Sequence, residues 1–236
     1  MITVSGIQVQ IVRKAIKNLH LGVYPPHGRV RVAAPLAVSD HSVRLAVVGK
    51  LGWIRRKQAS FQVQPRQSRR EMVSGESHYV WGRRYRLNVI KCACKTSVRL
   101  RSNKALDLCV RPGTSRENRE AALYHWYRQL LRDQIPHLLA KWEPVAQANV
   151  ADWGIKRMKT RWGTCNIKAR RIWLNLELAK KPPSCLEYIL VHEMIHLLER
   201  HHNDRFLEYM DRLMPQWRLY REELNRAPLC HENWSY

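Results

Sequence analysis

The sequence predicts an α+β fold in which a β-rich N-terminal half with one helix precedes a long helix, a small sheet and a second, strongly apolar helix. Three observations support this. Apolar and polar residues alternate over short runs before position 110, apolar residues recur at helical spacing over 117–142, and a Pro-Pro pair at 182–183 opens a further apolar helical run.

In chain order, Ile7, Val9 and Ile11 alternate, as do Val30 and Val32, with Pro25-Pro26-His27-Gly28 as the turn between two such runs. Ser39-Asp40 precedes Val43, Ala46, Val47 and Leu51, and the helical pattern continues through Trp53-Ile54 toward Phe61, so one helix is expected against those strands. The polar stretch 65–77 reads as a loop, after which 79–89 and 97–110 resume strand character. Arg111-Pro112-Gly113-Thr114-Ser115 is the expected boundary between a β-rich domain, 1–115, and a second domain, 116–236. The second domain opens with a long helix over 117–142 that Pro136 must bend or interrupt. Strands near 155–164 and 171–178 follow, joined by a turn at 166–170, with Ile172, Leu174, Leu176 and Leu178 on a buried face and Trp173, Asn175 and Glu177 on an available one. Ser184 with Glu187 three residues later has the pattern of a capping box at the start of the last apolar helix. No internal repeat or low-complexity tract is evident.

A chain of 236 residues with 45% hydrophobic residues can bury one substantial core or two small ones. No run approaches the roughly 18 apolar residues of a membrane span. Met1 to Ser5 lack the charged and apolar start of an export signal, so no membrane association and a cytoplasmic location are expected. Cys92, Cys94, Cys109, Cys165, Cys185 and Cys230 are then expected to be free thiols, with an inward strand position for one of the first two. Cys92-x-Cys94 lacks the C-x-x-C spacing and second pair of a zinc ribbon. The net charge of +23 attracts polyanions, so non-specific nucleic acid is a candidate partner. Its basic runs, such as Arg55-Arg56-Lys57, Arg83-Arg84 and Lys180-Lys181, are spread along the chain, and no zinc-finger or RNA-binding signature accompanies them.

The chemistry concentrates in His192-Glu193-Met194-Ile195-His196. Histidines four apart project from one helical face, so their ring nitrogens can converge on one ion, and the glutamate beside the first can reach a water there. A helix lined by Leu186, Ile189, Leu190, Leu197 and Leu198 has little reason to carry these polar groups unless they are used. A hydrolytic zinc needs three protein ligands and an open position. His202 gives HExxH-x5-H, the third-ligand spacing of zincins that carry glycine where Glu199 stands here. On a continuous helix His202 would lie about 240° from His196, so the helix must break near 200–203, where Asn203 tolerates a left-handed conformation. His201 is the rival ligand, with Glu199 and Glu208 as carboxylate alternatives.

Arg161-Trp162-Gly163-Thr164-Cys165, Ile172-Trp173-Leu174-Asn175, Val191 to His196, His202-Asn203-Asp204-Arg205-Phe206 and Pro215 together resemble the YgjP-like family of bacterial metallopeptidases, related to the SprT-like proteases. Val30 to Pro35, Trp53-Ile54 and 79–89 are similar to its N-terminal half, so the resemblance spans most of the chain. It implies a zincin-like metallopeptidase domain with the third ligand at His202. Thr164 stands where serine is usual in the family.

The expected activity is therefore hydrolysis of a peptide or unfolded-protein substrate with Zn²⁺ held by His192, His196 and His202 and Glu193 as general base. The architecture that the resemblance implies leaves the edge of strand 171–178 for an extended substrate, with protection against edge aggregation as the equal alternative for its Lys and Arg neighbours, and Trp162 is expected to pack in the core. Asn166 is read as a turn residue and Asn175 as a surface one. His201, Arg205 and Tyr209 are near enough in sequence to donate to an oxyanion, without grounds to choose among them. The alternatives are a basic nucleic-acid-binding protein with a structural zinc, which would need a fourth ligand and usually cysteines, and a protease recruited to nucleoprotein by its charge.

Overall fold

The computed structural model describes residues 1–24, 27–63, 70–158 and 161–226. The turn at Pro25-Pro26, the stretch 64–69 of the expected loop, Lys159-Thr160 and Cys230 lie outside the described residues. The chain forms two compact units that divide between Arg69 and Arg70, not near Ser115. The reason is packing: Leu87, Leu106, Leu108 and Val110 share one hydrophobic core with Leu123, Tyr127, Leu131 and Ile135 of the long helix, so the strands before position 115 belong with the elements after it.

In the first unit β1 (Ile2–Val4), β2 (Ile7–Lys14), β3 (His20–Tyr24) and β4 (Arg29–Pro35) form one sheet in the order β1-β2-β4-β3. The alternation read from sequence buries Val9, Val30 and Val32, each at most 1% exposed, on one face. The single helix expected there is two, α1 (Asp40–Val48) and α2 (Leu51–Val63), separated at Gly49-Lys50. Ser39 caps α1 by accepting from the Ser42 amide at 3.1 Å, and Val43, Val47 and Ile54 close the core.

The second unit begins with β5 (Ser77–Val80), β6 (Arg83–Lys91), β7 (Ser97–Leu100) and β8 (Ala105–Val110), ordered β5-β6-β8-β7. Strand order and pairing senses repeat those of the first sheet: an antiparallel hairpin, a parallel central pair and an antiparallel last pair. The tight hairpin turns Ser5-Gly6 (φ 47° and 78°) and Trp81-Gly82 (φ 49° and 79°) lie 76 positions apart. So do the helix caps Ser39 and Ser115. The sequence reading found no repeat because the copies keep polarity rather than identity, with Val9 matched by Tyr85, Val32 by Leu108 and Val47 by Leu123. The central parallel register also differs, Val9 facing Val30 in one copy and Arg86 facing Ala105 in the other.

Helix α3 (Arg116–Ala146) follows and continues through Pro136 and Pro144 to end at Gln147 in a left-handed conformation. Proline did not end the helix because its buried stripe, Leu123, Tyr127, Leu131, Ile135, Leu139 and Trp142, holds both sides of Pro136 in the core. The second small sheet consists of β9 (Asp152–Lys156), β10 (Gly163–Asn166) and β11 (Arg171–Asn175) in the order β10-β11-β9. The strand expected over 171–178 stops at Asn175, where Leu176–Lys180 winds into a 3₁₀ turn. Then come α4 (Pro183–Ile195), α5 (Asp204–Leu213) and α6 (Trp217–Arg226). Helix α4 is buried nearly all round, which fits its continuous apolar sequence. Its start is not a capping box: Pro182 is the N-cap with Pro183 in the first turn, and Glu187 accepts from Lys141 Nζ (2.6 Å) and Trp142 Nε1 (2.7 Å) of α3.

Cys92 and Cys94 form a disulfide with Cα atoms 5.3 Å apart, against the expectation of free thiols. Both lie just beyond the end of β6, where the chain turns and brings them within bridging distance, rather than at inward strand positions. Cys109, Cys165 and Cys185 are free. No helix among the described residues is long and apolar enough to cross a membrane.

Candidate active site

Helix α4 supplies His192 and Glu193 within its last turns and ends at Ile195, leaving His196 as its C-cap. Leu198 and Glu199 amides close the end on the Ile195 carbonyl, each at 2.8 Å. The chain then turns back, so the break that His202 required is present, but it begins before Arg200. Asn203 does not end α4 in a left-handed conformation. It is extended (φ −94°, ψ −175°) and caps α5, accepting from the Phe206 amide at 3.0 Å.

This path brings His192, His196 and His202 together, with one ring nitrogen from each within 4.8 Å of the others. The Nε2 atoms of His192 and His202 stand 3.0 Å apart. His196 Nδ1 lies 3.1 Å from the Glu199 carbonyl oxygen, so a neutral ring can donate there and keep its Nε2 lone pair for a cation. His192 Nδ1 is buried without a hydrogen-bond partner among the described residues. Burial, reinforced by the neighbouring His196 and His202, pulls the His192 pKa down to about 3, and burial also lowers that of His196. Both rings are thereby held in the neutral form that binds metal. Of the rival ligands, His201 is exposed with its amide on the Glu199 carboxylate at 3.1 Å, and neither Glu199 nor Glu208 joins the histidine group.

Beneath the histidines lies a residue whose role the sequence reading missed. The Phe206 ring is 1% exposed, and its centroid is 4.9 Å from His192, 4.9 Å from His196 and 4.7 Å from His202. It packs against all three rings and limits their rotation. Its sequence signal is the Asn203 cap, which fixes the first turn of α5 and so places Phe206.

Glu193 is 5% exposed, and burial pushes its pKa up to about 8 against the opposing pull of Arg161. Its carboxylate occupies space left by Gly163 at the start of β10. A Cβ on residue 163 would stand 2.6 Å from Glu193 Oε1, 2.7 Å from Cγ and 2.9 Å from Cδ. Glycine is needed there for close approach. Cys165, two residues along β10, has its thiol pKa raised to about 11 by burial and then by the Glu193 charge.

The segment leading into β10 is fixed by Asn175, which is not the surface residue expected but is 4% exposed. Its Nδ2 donates to the carbonyls of Met158 and Arg161 (2.8 Å each), its Oδ1 accepts from the Glu177 amide (3.2 Å), and its own amide donates to the Trp162 carbonyl (2.9 Å). One side chain at the end of β11 thus secures Arg161-Trp162-Gly163. Trp162 is half-buried against the main core, and Asn166 accepts from the Ala169 amide at 3.1 Å as a turn residue. The available edge is also displaced from expectation. β11 is the central strand, and among the described strands β10 and β9 each pair with β11 alone, β10 being the edge that carries Gly163 beside Glu193.

An α+β chain with three convergent histidines and a buried glutamate beside them has the make-up of a metallopeptidase. The family model described as "YgjP-like, metallopeptidase domain" matches residues 17–227. The chain belongs to that YgjP-like family, as the sequence resemblance implied. One matching solved structure is the crystal structure of the metallopeptidase zymogen of Pyrococcus abyssi abylysin. It is 18% identical, with a TM-score of 0.36 over 38% of this chain and 90% of that one. No curated protein matches.

Proposed function

We propose that the protein is a zinc-dependent peptidase in which His192, His196 and His202 hold the metal and Glu193 is the general base. The observation that carries this reading is the convergence of the three imidazoles next to a buried carboxylate. The donor set fits zinc. Tetrahedral coordination at the usual Zn–N length requires nitrogens about 3.3 Å apart, and the separations here run from 3.0 Å to no more than 4.8 Å. A zinc ion held there would supply Lewis acidity and lower the pKa of a water in its open position.

The remaining work falls to the chain's own groups. Glu193, confined against Gly163, takes the proton of the attacking water and delivers it to the leaving amine. Phe206 and the Glu199 carbonyl keep the imidazoles oriented. The free edge of β10 offers backbone donors and acceptors to an extended chain, which favours a peptide or an unfolded protein as substrate.

The test is metal content and cleavage measured together. The purified protein is expected to carry about one zinc per chain, to lose cleavage of an unstructured protein on chelation and to regain it on zinc addition. Cleavage that survives complete removal of metal overturns the reading.

A further inference from the structure

The β5–β8 sheet buries Tyr85, Leu87, Leu106, Leu108 and Val110 in the core it shares with α3. By the two-residue period of strands, Tyr79, Arg84, Arg86, Asn88, Asp107 and Arg99 face the other way. We propose that this outer face is a docking surface for single-stranded nucleic acid, anchored on the phosphodiester backbone by Arg99 and Arg101. The inference does not rest on the peptidase reading and concerns a different surface.

Its centre is an arrangement that needs a reason. Asp107 is 1% exposed although it lies on the outward side of the sheet. Asn88 Nδ2 donates to its Oδ1 at 3.0 Å, and the Nε atoms of Arg99 and Arg101 stand 3.8 Å from its two oxygens. Its Oδ2 has no hydrogen-bond partner among the described residues. Burying a carboxylate this way is costly, and its effect is to draw the Nε side of two guanidiniums onto the sheet. The two side chains nevertheless remain 69% and 60% exposed. Such paired forks match phosphate oxygens.

Two further observations choose the occupant. Residues 70–106, which lead into this sheet and form most of it, hold 9 Lys and Arg against 2 Asp and Glu, a surplus of +7. The basic residues are spread along the chain, as the sequence suggested, but the acidic ones are not. The resulting field suits a polymer with a charge at every residue better than an isolated anion. Tyr79, 37% exposed and in register with Arg84, places an aromatic face among the arginines, where an unpaired base can stack. A uniformly acidic peptide carries no ring to stack there.

The experiment is fluorescence anisotropy of a labelled oligodeoxythymidine strand over a salt series, with the full chain and three variants. Removing two phosphate contacts in R99A/R101A is expected to lower affinity at least about 10-fold near 0.1 M salt and to reduce the log-log salt slope by about 1.4. R84A/R86A leaves the partners of Asp107 in place, which guards against a folding artefact, and is also expected to reduce the slope. Tyr79→Ala is expected to lose about 5- to 100-fold in affinity with the slope unchanged. All three are expected to retain wild-type cleavage of a short peptide, so this inference and the peptidase reading fail separately. Wild-type affinity and slope in both arginine variants overturns the proposal. So does competition by polyglutamate equal to that of unlabelled strand at the same charge.

Discussion

Gly163→Ala tests the contact on which the proposed general base depends. In the structure the added Cβ would lie 2.6 Å from Glu193 Oε1 and 2.7 Å from its Cγ, whereas ordinary contact begins at 3.4 Å, so the side chain must retreat by about 0.8 Å. Displacements near 1 Å at a reacting group cost about 100-fold in rate, and a fall in kcat/KM of that order is expected. Because Cγ as well as the carboxylate end is crowded in a buried site, a stability loss of about 1–3 kcal/mol accompanies it. Zinc content is expected to stay at the wild-type level, since the three atoms nearest the added Cβ all belong to Glu193 and none to a histidine. Adding Glu193→Asp, which shortens the displaced side chain, is expected to recover stability without recovering activity. The assay is steady-state cleavage of an unstructured protein, with zinc analysis and urea unfolding on each form. An alanine variant that cleaves within about threefold of wild type would refute the reasoning.

Two more perturbations reach other parts of the account. Phe206→Ala removes the ring that packs against all three histidines; a stability loss of about 3–5 kcal/mol and at least about 10-fold weaker zinc binding are expected in unfolding and zinc-competition measurements, whereas Phe206→Leu keeps most of both. Burial, then Arg70, depresses the His78 pKa to about 4, so between its ordinary value of 6.5 and that figure the unfolded chain takes up a proton that the folded chain refuses. Stability from this residue is complete above pH 6.5 and declines as pH falls, by roughly 3 kcal/mol at pH 4. Unfolding free energies of wild type and His78→Gln across that range are expected to converge toward acid pH, and parallel curves would contradict the assignment.

The elements that sequence located well are those whose signal is local. The alternation of β2 and β4, the Ser39 and Ser115 caps and the apolar character of α4 follow from short patterns, and the HExxH spacing places His192 and His196 without tertiary information. His202 was legible as a spacing, and the early end of α4 with the Asn203 cap supplies the turn that brings it round. What sequence missed depends on contacts between distant segments. Nothing near Asn175 shows that its amide will secure Arg161-Trp162-Gly163, and nothing near Gly163 shows that the Glu193 carboxylate will fill the space beside it. Glu187 had a local partner in the capping-box pattern but took a tertiary one on α3, where Lys141 carries a full charge. The duplicated sheet escaped notice because core positions tolerate any apolar residue of suitable size. The edge strand was misassigned because periodicity reports which face is buried, not which neighbour a strand acquires.

The most direct test of the central claim is Glu193→Gln, which keeps the size of the side chain and removes the carboxylate. Zinc content, thermal unfolding and cleavage of an unstructured protein are measured on both forms. The account predicts wild-type zinc, a fold intact through the transition and a rate lower by at least about 100-fold, since general-base contributions run from about 100-fold to 10,000-fold. Loss of zinc would make Glu193 a ligand instead of a base, and undiminished cleavage would place the catalytic proton transfer elsewhere.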